Sequence, residues 1–324
     1  MTKRYNIPIF IPHEGCPNDC VFCNQKKITG LETSATPSMA AQVIEKHLDF
    51  LPDDAVIEAA FFGGSFTGLS LEKQEAFLQT AAAYHGRIAG IRMSTRPDYI
   101  SDDVLVLAKR YGVTMIELGL QSADDRVLQL NGRGHGFVDT KLAVEKIRAY
   151  GIGVGLQMML GMYGSTPEKD MQTATCVIGL SPDCVRIYPT VVLKDTRLEA
   201  LYRSGEYTPY TLEQAVGITA DILQCMREVK IPVIRMGLHA SEELQSTGDL
   251  VAGPFHPAFG ELVESRLWRR KIEKEILEKG ITKGELIIAV RPDEVSKVVG
   301  HRKINRQYFY EKYGIILRCI QEQK

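Results

Sequence analysis

The chain has 324 residues, 44% of them hydrophobic and 24% charged. That is long enough for one large domain plus a small one, and too apolar for wholesale disorder. The formal net charge of −1 gives the chain as a whole no signal for nucleic acid or membrane. No apolar run approaches the roughly 18 residues a bilayer crossing needs. Residues 1–6 run straight into a strand with no signal peptide, and seven cysteines, an odd count, argue against a disulfide framework. A reducing, cytoplasmic location without a membrane partner is expected.

Strand and helix patterns alternate from the start, the signature of a parallel sheet with crossover helices. Strands are expected at 7–11, 55–62, 88–93, 113–118, 152–160 and 184–187, with a last one at 233–236. Helices are expected at 38–50, 71–84, 102–111, 124–130, 138–150, 167–180, 198–201 and 212–229. The architecture this implies is α/β: a partial (β/α)6 TIM-like barrel over residues 1–253, followed by a small basic α/β domain over 254–324. In barrels of this kind the site lies at the C-terminal ends of the strands. The unusual clusters fall there: the cysteine loop after the first strand, Gly63-Gly64-Ser65 after the second, Thr95-Arg96-Pro97 after the third, Gln121-Ser122 after the fourth, Met159 to Gly161 after the fifth and Tyr188 after the sixth.

The cysteine loop is Cys16-Pro17-Asn18-Asp19-Cys20-Val21-Phe22-Cys23. Its spacing lets one tight loop aim three soft thiolates at one point, a donor set for zinc or an iron–sulfur cluster. Structural zinc wants four ligands, usually in two pairs. There is no second CxxC pair, but His13 could serve as a fourth ligand, so zinc stays open. Three thiolates without a fourth suit a four-iron cluster with one iron left for something else.

The other clusters each have a plain structural alternative. Gly63-Gly64 lets a ligand approach the backbone, or is a simple strand-to-helix turn. Arg96 presents a planar fork suited to a carboxylate, or pairs with Asp98. Gln121 offers the uncharged hydrogen bonds a ribose needs, whereas Ser122 reads equally well as a helix cap near Asp124. Gln157 is a polar residue in an apolar strand and must find partners. Met158 and Met159 fit core filling better than cofactor contact. Tyr188 and His135 are candidates for substrate contact.

Taken with these motifs, the cysteine triplet resembles that of the radical S-adenosylmethionine enzymes. The resemblance implies that Cys16, Cys20 and Cys23 hold a 4Fe-4S cluster whose open iron is chelated by S-adenosylmethionine. It places Phe22 near the adenine and Gly63-Gly64 at the methionine amino group. Ser65 stands where that pattern often has Glu. Four further runs narrow the likeness: Phe62-Gly63-Gly64-Ser65-Phe66, Ser94-Thr95-Arg96-Pro97-Asp98-Tyr99, Glu117 to Ser122 with Arg133-Gly134-His135, and Arg186-Ile187-Tyr188-Pro189-Thr190. Over roughly residues 5–240 they are similar to the radical domain of the Elongator catalytic subunit, a tRNA-modifying enzyme. That subunit's cysteines are more widely spaced, and the 70 residues after Pro254 are too few for its acetyltransferase domain. The resemblance implies cofactor contacts at Phe22, Gly63, Gly64, Ser65, Thr95, Gln121 and Gln157, and reaction-site roles for Tyr188 and Arg96. It also implies a low-potential electron donor of flavodoxin or ferredoxin type, with RNA or tRNA as a candidate substrate. The alternative is a non-catalytic RNA-binding protein with a structural metal.

The tail has its own pattern. From Arg266 to Lys324, 15 Lys and Arg face 8 Asp and Glu, against 24 and 32 in the remainder. A strand at 285–290, a helix at 292–299, the basic loop Gly300-His301-Arg302-Lys303, a helix at 304–313 and a strand at 315–320 are expected. This order resembles the RNA-binding KH module, although Lys303 stands where GXXG has its second glycine. A plain α/β cap on the barrel is the alternative.

Overall fold

The computed structural model describes residues 3–11, 15–16, 20–24, 35–238 and 248–322. His13 and three residues of the cysteine loop, 17–19, lie outside the described residues.

Seven parallel strands follow one another across a single curled half-barrel: β1 (Arg4–Phe10), β2 (Val56–Phe62), β3 (Gly90–Thr95), β4 (Val113–Gln121), β5 (Gly153–Leu160), β6 (Cys184–Pro189) and β8 (Val233–Met236). The seventh is the expected last strand, which pairs with β6. The crossover helices are α1 (Pro37–Leu48), α2 (Leu71–Ala82), α3 (Asp102–Arg110), α4 (Asp125–Leu130), α5 (Phe137–Ala149), α6 (Pro167–Gly179), α7 (Arg197–Arg203) and α8 (Leu212–Glu228). Each helix start follows from its local sequence. The side chains of Thr36, Ser70, Ser101, Asp124, Thr166, Thr196 and Thr211 each accept from a backbone N–H of the first turn. Such a cap contributes about 1 kcal/mol. The cap of α4 is Asp124, not Ser122, whose hydroxyl instead accepts from the Asp124 N–H at 3.1 Å.

Near-continuous apolar strands, as in a sheet covered by helices, supply the main core, with Ile7, Phe61, Ile91, Met93, Ile116, Leu118, Val154 and Ile187 fully buried. The strand register is what levels the site. Phe10 pairs with Phe62, Thr95 with Leu118, Gln121 with Met158 and Met159 with Tyr188. The C-terminal ends therefore share one rim. A bulge between Leu118 and Gln121 lets β4 run past its expected end and turns Gln121 into left-handed backbone, φ 68°.

Two elements were not foreseen. A short antiparallel pair, β7 (Val192–Leu193) with β9 (Leu250–Ala252), walls the rim beyond β6. A long helix, α9 (Phe259–Lys279), has charges on most sides and so lacks a clear apolar stripe. Its first half packs Phe259 and Val263 on Ala215, Ala220 and Leu223 of α8. Its second half sends Ile272 and Ile276 into a separate small core. That core is closed by β10 (Gly284–Val290), α10 (Val295–Val299), α11 (Ile304–Tyr313) and β11 (Ile315–Gln321), with β10 and β11 paired in parallel. This is the strand–helix–loop–helix–strand order expected for the tail. Among the described residues, no helix is long and apolar enough to cross a membrane.

One charged knot sits inside the sheet. Glu117 of β4 is 3% exposed and accepts from Arg92 of β3 and Arg186 of β6, while Arg92 also reaches Glu58 of β2 at 3.0 Å. Burying these charges is tolerable only because they are paired. Glu117→Gln leaves two guanidiniums short of charge, with an expected loss of about 3–5 kcal/mol in urea unfolding. A loss below about 1 kcal/mol would show that the knot does not hold the sheet.

Candidate functional site

A cavity of about 370 Å³ opens at the C-terminal rim, within the size range of small-molecule and cofactor sites. Cys16, Cys20 and Cys23 line it together with Phe22, Gly63, Gly64, Ser65, Thr95, Arg96, Gln121, Gln157 and Tyr188. The three cysteines and the residues assigned to the cofactor and the reaction therefore face one space, whereas His135, also a candidate for substrate contact, does not line it. Met159 also lines it, whereas Met158 is core.

The cysteine loop is seated by backbone contacts on both sides. The Val21 N–H donates to Asn131 O at 3.1 Å, and the Leu198 N–H donates to Val21 O at 2.7 Å. Two glycines let the loop approach the turn after β2. A Cβ on Gly68 would stand 2.1 Å from Gly15 O, and one on Gly15 2.2 Å from Ser65 O. Those separations are far inside van der Waals contact, so both positions require glycine.

The floor beside Gly63-Gly64 is a hydroxyl cluster. Thr95 Oγ1 lies 2.8 Å from Ser65 Oγ and 2.5 Å from Thr67 Oγ1, and Ser65 Oγ accepts from the Arg96 N–H. Ser65, standing where a Glu was noted as usual, thus ties β2 to β3. Across the cavity the Gln157 amide donates to Gln121 Oε1 at 3.2 Å, which gives the half-buried Gln157 its partner. A Cβ on Gly119 would lie 2.8 Å from Gln121 Nε2, so that glycine makes room for the amide. Non-glycine residues held in left-handed backbone tend to mark functional sites.

Arg96 behaves as its plain alternative anticipated. It forks onto Asp98 at 3.0 and 2.8 Å and also donates to Arg133 O. Sequence reasoning gave Arg133 no role of its own. It donates to Cys20 Sγ at 3.3 Å, to Gly119 O at 2.7 Å and to His135 Nε2 at 3.0 Å. With Nε2 accepting from a guanidinium, the His135 ring must be neutral, its proton on Nδ1 toward Gly136 O. Burial first, and the charge of Arg133 second, push its pKa down to about 4. Glu117, Arg186 and Arg235 also line the cavity. The signal for the first two was a charge inside an apolar strand.

Among the described residues, no three His, Cys, Asp or Glu side chains gather closely enough to hold one metal ion. Cys16, Cys20 and Cys23 line one cavity, a set of soft thiolates of the kind an iron–sulfur cluster takes.

The chain belongs to the radical S-adenosylmethionine enzymes: the Radical SAM superfamily matches residues 10–176, and the Radical_SAM C-terminal domain matches 182–269. It is an enzyme of this class, and its cofactors are those the class uses, a 4Fe-4S cluster and S-adenosylmethionine. This sets aside the non-catalytic alternative. Among individual proteins, the chain is 29% identical over 247 residues to a tRNA uridine(34) acetyltransferase of Dehalococcoides mccartyi, covering 64% of this chain and 53% of that one. It is 26% identical over 214 residues to human Elongator complex protein 3, covering 56% and 39%. The chain spans about half the length, or less, of these curated relatives. In structure it resembles the archaeal Methanocaldococcus infernus Elp3 with an N-terminal deletion, with a TM-score of 0.63, 23% identity, and 86% of this chain and 64% of that one covered. It also resembles coproporphyrinogen III oxidase (HemN) of Escherichia coli, with a TM-score of 0.50, 17% identity, and coverage of 70% and 52%.

Two predictions follow from this geometry. Gly68→Ala pushes the cysteine loop off its seat, so iron bound after anaerobic reconstitution falls to about half or less with far-UV circular dichroism unchanged. Full loading would contradict the close packing. For His135, the unfolded chain takes up a proton near pH 6.5, but the folded chain does so only near pH 4. Its contribution to stability is complete above pH 6.5 and is lost as pH falls toward about 4, by up to about 3 kcal/mol. In His135→Gln, unfolding titrations lose this part of the pH slope; an unchanged slope would show that the ring titrates normally.

Proposed function

We propose that this protein is a radical S-adenosylmethionine enzyme acting on RNA, with tRNA the favoured class. The observation that carries the proposal is that Cys16, Cys20 and Cys23 line the same cavity as Gly63, Gly64, Gln121 and Gln157. The tRNA assignment is supported by the similarity to proteins such as the tRNA uridine(34) acetyltransferase of Dehalococcoides mccartyi.

When bound, the cluster and S-adenosylmethionine would supply reductive radical chemistry able to remove hydrogen from a substrate carbon. The rest is the work of the chain. Cys16, Cys20 and Cys23 hold three irons as thiolates. The bare backbone at Gly63-Gly64 admits the methionine end of the cofactor. Phe22 would take the adenine side, and the Gln121–Gln157 amide pair would offer its hydrogen bonds to the ribose. Ser65 and Thr95 keep the floor rigid, and Arg96, clamped by Asp98, positions the segment beside Arg133. Tyr188, level with Met159 on the next strand, stands on the substrate side with Arg186 behind it. A low-potential donor of flavodoxin or ferredoxin type supplies the electron in a cytoplasmic setting.

The test is anaerobic incubation of reconstituted protein with dithionite and S-adenosylmethionine. Wild type releases 5′-deoxyadenosine, unfractionated tRNA raises the yield above the uncoupled background, and Cys20→Ala releases at least about 100-fold less. Equal release by Cys20→Ala would refute the cluster assignment. No response to tRNA, with a response to a small-molecule fraction, would refute the substrate class.

A further inference from the structure

The residues between 295 and 310 contain Lys297, Arg302, Lys303 and Arg306 and no Asp or Glu. Among the described residues none of these four cations is in a close ion pair with a carboxylate, although the charge of Lys297 acts on Glu294 and ion pairs are common elsewhere in the tail. Over the rest of the chain acids outnumber bases, so this run is a local exception on an otherwise acidic protein.

The loop carrying Arg302 and Lys303 is rigid. Gly300 packs so closely on α9 that a Cβ there would lie 2.8 Å from Ser265 Oγ. Asn305, fully buried, donates to Ser265 O and Val298 O at 3.0 Å each and accepts from Arg269 Nε at 2.9 Å. Arg302 and Lys303 themselves are exposed and held in left-handed backbone, φ 52° and 65°. Two charged residues thus occupy positions that glycine would fill without strain. On α11, Tyr310 is 64% exposed one turn beyond Arg306.

A chain of contacts connects this loop to the cavity wall. The His301 ring meets the His256 ring edge-on at 5.0 Å. The neighbour of His256, Phe255, packs on the Val191–Leu193 cluster, and both of those residues line the cavity.

We infer that the 300–303 loop and the adjoining face of α11 grip the phosphodiester backbone of an RNA strand beside the mouth of the cavity. Arg302, Lys303, Lys297 and Arg306 face the phosphates, and Tyr310 offers a ring for a base to stack on. The preset loop geometry lowers the ordering cost of binding. This inference rests on the proposed RNA substrate and assigns the part of the chain that holds it.

The experiment measures filter retention of labelled unfractionated tRNA by the full chain across a salt series, without S-adenosylmethionine. Wild type binds with a steep salt dependence. Arg302→Gln/Lys303→Gln weakens binding about tenfold and lowers the slope of log K against log salt by about 2, near one unit per cation removed. Arg302→Gly/Lys303→Gly, which suits the left-handed backbone, gives the same loss with the fold kept. Lys274→Gln/Lys283→Gln, the same charge change outside the run, shifts binding less than about twofold. No binding by wild type, or unchanged affinity and slope in both loop variants, overturns the inference. Because retention is read without the cofactor, failure here leaves radical formation standing, and failure of radical formation leaves the binding result standing.

Discussion

The constraint on which the rest depends is the parallel register of seven strands. Each strand is held level with the next, so seven loops that are far apart in sequence open onto one rim. A triplet of cysteines is weak chemistry by itself. Facing a bare Gly-Gly backbone and an amide pair across one cavity, it becomes a place where a cluster and a cofactor can meet. A one-residue slip between β3 and β4, or between β4 and β5, would turn the side chains of Thr95 or Gln121 to the other face.

Two kinds of contact keep that rim in shape. Below it, Glu117, Arg92 and Arg186 tie β3, β4 and β6 across the interior with paired charges. At the rim, contacts are short and shape-limited: Gly68 against Gly15, the Ser65–Thr67–Thr95 hydroxyls, and Arg133 spanning Cys20, Gly119 and His135. Arg133 sets a positive charge 3.3 Å from the sulfur of Cys20.

Much of the barrel was legible because its signals are local. Gly112 and Gly151 end helices, Pro167 starts one, and apolar runs of strand length mark the sheet. Strand ends were less legible. Strand β4 passes through a bulge to reach Gln121, and nothing in Gly119-Leu120-Gln121 announces that irregularity. Helix α9 escaped because it serves two cores in succession, so its apolar residues do not form one stripe. The cysteines and glycines of the site could be read from type and spacing. Arg133 could not, since its role comes from a fold that brings it 3.3 Å from a sulfur 113 positions away. Arg96 shows the converse: its fork and its partner Asp98, two residues along the chain, were both legible.

The central claim is that three thiolates at this rim hold a four-iron cluster with one iron open to S-adenosylmethionine. The most direct measurement is electron paramagnetic resonance of the anaerobically reconstituted, dithionite-reduced protein, with and without S-adenosylmethionine. The account predicts a reduced-cluster signal whose g values shift when the cofactor is added. A signal indifferent to the cofactor, or a purified protein that carries one zinc and takes up no iron, would contradict it.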